Sequence, residues 1–254
     1  MENVAQFLPT RAGVHITTLK LLDRRWENVV VDASQTDRKW QANVTSNQVS
    51  GDVAWTTELT RGSPGALQAQ FAKVVIPEKT EGDMADKIIR KPLRSMPSID
   101  LTVNELVFRG RDLGRLEVDA HNDFITEDPV WTLDKLELAN SDATLSADAT
   151  WRTPGHAIPV DDDDDSIPRR TSVNFRLDVK NGGQLIDRFG LPHTVNKGDG
   201  TVSGRAGWNG GPTTINMTTL DGNVNVDLHH GQILRAPGAA KWLGTSACAC
   251  SPIC

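Results

Sequence analysis

The sequence predicts a mainly β protein: repeated antiparallel strands joined into an elongated, curved sheet, with a few short helices. Three observations carry this expectation. Apolar and polar residues alternate at a period of two along most of the chain, as in strands with one dry and one wet face. The stretch "VHITTLKLLDRRWENVVVDA" (14–33) returns without a gap 87 residues later as "LTVNELVFRGRDLGRLEVDA" (101–120), and repetition of this kind marks stacked units that share one sheet. The alternation also changes phase at the same place in both copies, and a phase change bends a strand.

Taken in order, Val14 aligns with Leu101, Ile16 with Val103, Leu19 with Leu106, and Leu21 with Phe108; Val29 then aligns with Leu116, and Val31 with Val118. In each copy the apolar set switches parity between its second and third members. An inserted residue restores the face, so bulges are expected near Thr17–Thr18 and near Asn104–Glu105. "DRRWEN" and "GRDLGR" read as short polar hairpin loops. Beyond them Trp40, Ala42 and Val44 alternate and "SGDVAW" closes at Trp55. In the second copy Trp131 and Leu133, then Leu136 and Leu138, lead to "LSADATW", which closes at Trp151.

A third, more divergent unit contains "SVNFRLDV" (172–179), "TVSGRAGW" (201–208) and "LDGNVNVDL" (220–228). The chain therefore divides into β unit 1 (1–76), a charged linker (77–97), β unit 2 (98–152), an acidic, proline-bearing loop (153–170), β unit 3 with short helices (171–244) and an aberrant tail (245–254). The centre of the linker is expected to make one short helix. Glycine before and proline after the helically spaced apolar residues predict another over Gln184–Phe189. "APGAAKWLG" (236–244) reads as the start of a third, with Pro237 near its first turn.

Composition excludes several function classes. With 27 basic and 33 acidic residues the 254-residue chain carries a formal charge of −6, and no basic cluster offers a footprint for nucleic acid. No run of eighteen apolar residues predicts a membrane span, and "MENVAQFLPTRAG" lacks the parts of a secretory signal. Cys248, Cys250 and Cys254 lie in the last seven residues; "CACSPIC" lacks the two separated ligand pairs of a zinc site and reads as an unstructured tail.

Chemistry-bearing motifs are scarce. The Asp161–Asp165 run lacks the alternating ligands and turn glycine of a calcium loop, and like charges side by side favour a solvated loop. His229 and His230 are adjacent, so on a strand they point to opposite faces and cannot share a metal. "KGDGTVSGRAG" (197–207) leads into a strand pattern, which fits a loop between strands and not a phosphate cradle. No nucleophile elbow, P-loop or His-Glu-x-x-His occurs. The expectation is a protein that is not an enzyme, with no catalytic residue, metal site or cofactor. Four of the seven tryptophans open or close apolar strands at matching repeat positions, which places them in a core or along a groove.

These residues also carry a resemblance. "SIDLTVNELVFRGRDLGRLEVDA", "WTLDKLELANSDATLSADATW", "VNFRLDVKNGGQLIDRFGLP" and "LDGNVNVDLHHGQILRAPGAAKWLG" resemble successive blocks of the C-terminal part of the YhdP-type, AsmA-like proteins of Gram-negative envelopes. "WQANVTSNQVSGDVAW" and "LQAQFAKVVIPE" resemble the block before them. The likeness runs from about residue 8 to residue 244. Its most specific parts are Phe-Arg-Gly-Arg-Asp-Leu-Gly at 108–114 and the Gly-Gln-Ile-Leu to Pro-Gly-Ala-Ala-Lys run at 231–241.

The resemblance implies a periplasmic β structure, anchored in the inner membrane in the full-length protein, whose sheet curls into an apolar groove. It implies transfer of phospholipid between inner and outer membrane in support of the outer-membrane barrier. The partners implied are phospholipid and the two membranes, and no catalytic residues come with the family. The anchor is expected to be absent from this chain. The ending "TSACACSPIC" departs from the apolar and basic continuation of the family, which implies a shifted reading frame or a truncated gene.

On this reading the groove is lined by Val14, Ile16, Leu19, Leu21, Val29, Val31, Leu101, Val103, Leu106, Phe108, Leu116 and Val118. Alternation shows that one face is dry and leaves open what keeps it dry. A non-conducting structural or assembly module of the envelope, with that face packed on protein, is the first alternative. A glycan-binding module that stacks sugars on exposed tryptophans is the second.

Overall fold

A computed structural model describes residues 10–21, 24–57, 63–76, 96–123, 129–152, 169–189, 195–212 and 215–233. Among them lie twelve strands and one helix. Unit 1 supplies β1 (Arg11–Leu21), β2 (Arg24–Thr36), β3 (Lys39–Thr45), β4 (Val49–Thr56) and β5 (Ala66–Ile76). Unit 2 supplies β6 (Ser98–Phe108), β7 (Arg111–Asp123), β8 (Val130–Ala139) and β9 (Ala143–Arg152). β10 (Arg170–Val179), α1 (Gly182–Arg188), β11 (Val195–Asn209) and β12 (Asp221–Ile233) follow. The helix expected over Gln184–Phe189 is α1, with the Asn181 side chain accepting a hydrogen bond from the Gln184 amide at its start. The expected linker helix, the Asp161–Asp165 run, Trp242, the "APGAAKWLG" helix and the three cysteines lie outside the described residues.

All twelve strands form a single curved, open sheet in sequence order. Each neighbour pair is antiparallel except β5 and β6, which run parallel from Ala66↔Ser98 to Ile76↔Phe108. The cause is parity. Five strands of up-and-down meander leave β5 pointing the way β1 points, and the repeat makes β6 a copy of β1. Parallel neighbours need a crossover connection of a dozen residues or more, and the charged stretch between Ile76 and Ser98 has that length.

The two hairpins of the repeat keep one register. Val14 pairs with Val31 and Ile16 with Val29, while Leu101 pairs with Val118 and Val103 with Leu116. The expected bulge at Asn104–Glu105 is present: two residues of β6 face one of β7 between Val103 and Leu106, and β7 regains the residue before Val107. The bulge expected near Thr17–Thr18 is absent as an insertion. Pairing passes from Ile16↔Val29 to Thr18↔Glu27 and Leu19↔Trp26 with nothing inserted, because β2 changes phase at the same rung, where Asn28 has a φ of 53°.

Two further expectations are corrected. The residues read as polar hairpin loops are mostly strand: the β6–β7 reversal takes only Arg109 and Gly110, both at positive φ (52° and 73°), the geometry of a two-residue type I′ turn. The glycine-rich run at 197–207 is part of β11 and not a loop. A Cβ at Gly200 would come 2.1 Å from the Asp227 carbonyl oxygen of β12, so glycine here lets two backbones pair closely.

The tightest packing lies at one end of the strands, where Trp131 and Trp151 face each other across β8 and β9. Met96, Ala120, Trp131 and Trp151 form a buried cluster, with Ile99 and Leu133 against it. Trp131 donates its indole N–H to the Pro97 carbonyl and Trp208 donates to that of Gly211 (3.2 and 2.9 Å).

Candidate functional site: the apolar face of the sheet

In a sheet, residues paired across strands point to the same side, so the register sorts every side chain by face. Two adjacent rows cross all twelve strands without one polar side chain. The first runs Ala12, Ala33, Ala42, Val53, Ala69, Leu101, Val118, Leu136, Ala147, Phe175, Gly204, Val224. The second runs Val14, Val31, Val44, Gly51, Phe71, Val103, Leu116, Leu138, Leu145, Leu177, Val202, Val226. Each glycine in these rows stands beside a phenylalanine, Gly51 by Phe71 and Gly204 by Phe175. The ring fills the space a side chain would have taken: a Cβ at Gly204 would meet Phe175 Cζ at 3.1 Å.

The row between them on the opposite face has no apolar side chain. It runs Gly13, Asp32, Asn43, Asp52, Gln70, Thr102, Glu117, Glu137, Ser146, Arg176, Ser203, Asn225. Ion pairs cross this face. Lys135 reaches Glu117 at 2.6 Å and Glu137 at 3.3 Å, and Arg115 reaches Glu117 at 2.6 Å. The hydrogen bond from Lys135, then the Arg115 charge, hold the Glu117 carboxyl below its ordinary range. Hydrogen bonds to Glu117 and Glu137 raise Lys135. Arg176 and then Thr201 lower Asp178 through their hydrogen bonds.

The twelve expected groove residues divide in three. Val14, Val31, Val103 and Leu116 lie in the second apolar row, and Leu101 and Val118 in the first. Ile16 and Val29 pair with each other on the apolar side, and Leu106 pairs with Val74 and Gly114 on that side. Leu19 pairs with Trp26 and Leu21 with Arg24 near the tip of the first hairpin, and Phe108 pairs with Ile76 and Arg111. Accessibility is uneven. Val103, Val29 and Leu106 are buried (2%, 5% and 9% exposed), Val14 is 46% exposed, and Leu101, Leu116 and Val118 are half-buried.

α1 is the described element outside the sheet that lies against it, reaching from β11 towards β7. Its Arg188 holds the buried Asp142 through Nε and Nη2 (2.9 and 2.6 Å) and donates to the Asp112 carbonyl at 2.7 Å. Arg111 donates to the Phe189 carbonyl at 2.8 Å.

Two concavities that the sequence did not announce open on the polar side. One, about 470 Å³, is lined by Asp32, Asn43, Asp52, Gln70 and Asp100, among others. Its described lining is otherwise made of Ser34, Gln41, Gln68 and small apolar residues, with no histidine, lysine or arginine. The second, about 340 Å³, is crossed by Lys135, Glu137 and Arg176. The only advance signal was the run of carboxylate and amide residues on the wet parity of β2 to β6.

No group of three metal-ligating side chains occurs among the described residues. His229 and His230 pair with Asp227 and Asp199 respectively (3.1 and 2.9 Å). No described tryptophan is exposed.

Residues 1–246 match the family model described as "YhdP protein". The chain belongs to the YhdP family. It is thereby an envelope protein of that family. No curated protein and no solved structure matches it. Among the described residues no helix is long and apolar enough to cross a membrane.

Proposed function

We propose that this YhdP-family chain is a non-catalytic segment of a periplasmic lipid conduit, anchored in the inner membrane in the full-length protein. Its apolar face shelters the acyl chains of phospholipid moving between inner and outer membrane, which supports the outer-membrane barrier. The observation that carries the reading is the pair of unbroken apolar rows. With strands about 4.8 Å apart, eleven spacings make an apolar path about 50 Å long at right angles to the strands. Each buried methylene is worth about 0.8 kcal/mol, so bringing both acyl chains of a phospholipid into water costs tens of kcal/mol. A continuous apolar surface open at its side removes most of that cost and leaves the headgroup wet. Length, and not a pocket, is the working property, which accounts for a repeated strand.

Co-purification tests the reading. Protein taken from envelope extracts in mild detergent is expected to carry phospholipid, detected by mass spectrometry. Leu101→Asp with Val118→Asp, both half-buried on the apolar face, is expected to lose most of it. Wild-type protein free of phospholipid would refute the proposal.

One observation favours a second reading, a non-conducting assembly module. The Met96–Trp131–Trp151 cluster covers one end of the apolar face with the protein's own side chains. In that case lipid is missing and the Asp substitutions cost stability alone.

A further inference from the structure

The apolar side of β6 grades from dry to wet along the strand. Leu101 is half-buried, Val103 and Leu106 are buried, and Phe108 at the end is 37% exposed. β6 pairs residue for residue with β5 from Val74↔Leu106 to Ile76↔Phe108, so Phe108 stands on the same side as Leu106. Two guanidiniums close this row. Arg109 lies over the Phe108 ring, 5.0 Å from its centroid, within cation–π range. Arg111 is the cross-strand partner of Phe108, which sets it on the apolar side as well, and it donates to the Phe189 carbonyl at 2.8 Å. Phe189 is itself 52% exposed.

These arginines differ from the cations of the polar face, where Arg115 and Lys135 are paired with Glu117 and Arg176 with Asp178. Arg109 and Arg111 are exposed, and neither meets a carboxylate among the described residues. A guanidinium has five N–H donors, and the described contacts of this pair use a single one, from Arg111 to Phe189. The acids of the tip are engaged: Asp142 is buried under Arg188, and Asp112 accepts from the Gly114 amide at 2.9 Å. Arg188 also holds the tip in place through the Asp112 carbonyl. The pair belongs to this hairpin and not to the repeat, since the first copy has Leu22 and Asp23 in place of Arg109 and Gly110. β5 and β8 flank the hairpin, so strands added beyond β1 or β12 would leave its tip as it is.

We propose that the β6–β7 tip is a phosphate site for the headgroup of a phospholipid whose acyl chains lie along the apolar side of β6 and β7. The inference rests on the conduit reading and adds where along the strands the headgroup sits. Lengths agree. Leu101 to Phe108 spans about 20 Å after allowing for the bulge, and an acyl chain fills one leaflet, half of a hydrocarbon core about 30 Å thick. A chain laid on Leu101, Val103 and Leu106 therefore ends within reach of the arginines, with Phe108 at the border between chain and head. Guanidinium meets phosphate through paired N–H donors. Phosphate is common to phospholipids, so the tip sets which way round a lipid lies and not which lipid it is.

Two photoreactive phosphatidylglycerol probes test this on the whole chain, one reactive at the head and one at the acyl end. After transfer from vesicles, the head probe is expected to mark residues 108–111, and the acyl-end probe to mark β6 or β7 nearer Leu101 and Val118. Arg109→Glu, at a side chain whose described contact is the Phe108 ring, is expected to lower bound lipid about tenfold. It should also scatter the head adducts while leaving circular dichroism unchanged. Arg176→Gln on the polar face is expected to change neither readout. Glycerol phosphate should not displace the lipid, because it lacks the chains. A wild-type chain that takes up no lipid sinks the conduit reading and this one with it. Lipid uptake indifferent to Arg109→Glu, with head adducts spread along the sheet or at the opposite strand ends, removes the tip site and leaves the conduit standing. Displacement by glycerol phosphate at equal concentration would assign the arginines to a soluble phosphate ester and overturn the lipid assignment.

Discussion

Hairpins β1–β2 and β6–β7 are written with nearly the same pattern, and they pair in the same register at both ends. Yet Val103 is 2% exposed, whereas Ile16, its counterpart, is half-buried; Leu101 is half-buried, whereas Val14 is 46% exposed. The repeat sets which residues meet, and position in the sheet sets how dry they become. β6–β7 has β5 and β8 at its sides and α1 near its tip, whereas among the described residues β1 has a single neighbouring strand. In one layer of sheet, burial comes from lateral neighbours, so a core cannot be read from a strand alone.

The largest effect should come from a charge at the central position. Val103→Asp is expected to cost more than about 3 kcal/mol, because a carboxylate there has neither water nor a partner, and Ile16→Asp about 1 kcal/mol. Urea unfolding of the two variants checks the contrast, and equal costs would remove it.

The bulged hairpin offers the next test. Gly114 has a φ of 94°, and a Cβ there would stand 2.2 Å from the Ala139 carbonyl oxygen. Gly114→Ala is expected to cost about 2–3 kcal/mol. Its counterpart in β2 is Glu27, where alanine should change stability by less than about 0.5 kcal/mol.

Of the two hairpins α1 touches the second, while resting on β11 and on the β8–β9 turn. Removing the guanidinium with Arg188→Ala leaves Asp142 buried without its cation, at a cost of about 2 kcal/mol. Hydrogen exchange should rise at Arg111–Gly114 and stay unchanged in β1–β2.

The smallest effect is electrostatic. Glu117 and Asp178 are lowered on folding, so their contribution is complete above the ordinary carboxylate range and is lost as pH falls through their folded values. Lys135 is raised, so its contribution is complete below the ordinary lysine range and is lost as pH rises through its folded value. These groups are exposed, and the change should be slight. The counterpart of Glu117 in β2 is the apolar Val30, so Glu117→Gln should flatten the acid limb and Val30→Gln should not.

The period-two pattern and the 87-residue shift made strand identity, hairpin pairing and the bulge at Asn104–Glu105 legible in advance. Glycine, proline and apolar spacing did the same for α1. Alternation carries no information about strand direction, so the parallel β5–β6 joint was not legible. Nor does a phase change on one strand reveal whether its partner shifts with it, as β2 does at Asn28. The apolar face was legible as a parity; its continuity across twelve strands needed the register, and so did the concavity lined by Asp32, Asp52 and Asp100.

Site-specific photocrosslinking in living cells distinguishes lipid from protein on the apolar face. A photoreactive residue at Leu116 or Val118 looks out from the apolar face, and one at Glu117, between them in the chain, looks out from the polar face. Phospholipid adducts are expected from Leu116 and Val118 and almost none from Glu117. Adducts with protein alone at all three positions, or lipid recovered equally from both faces, would contradict the proposed conduit.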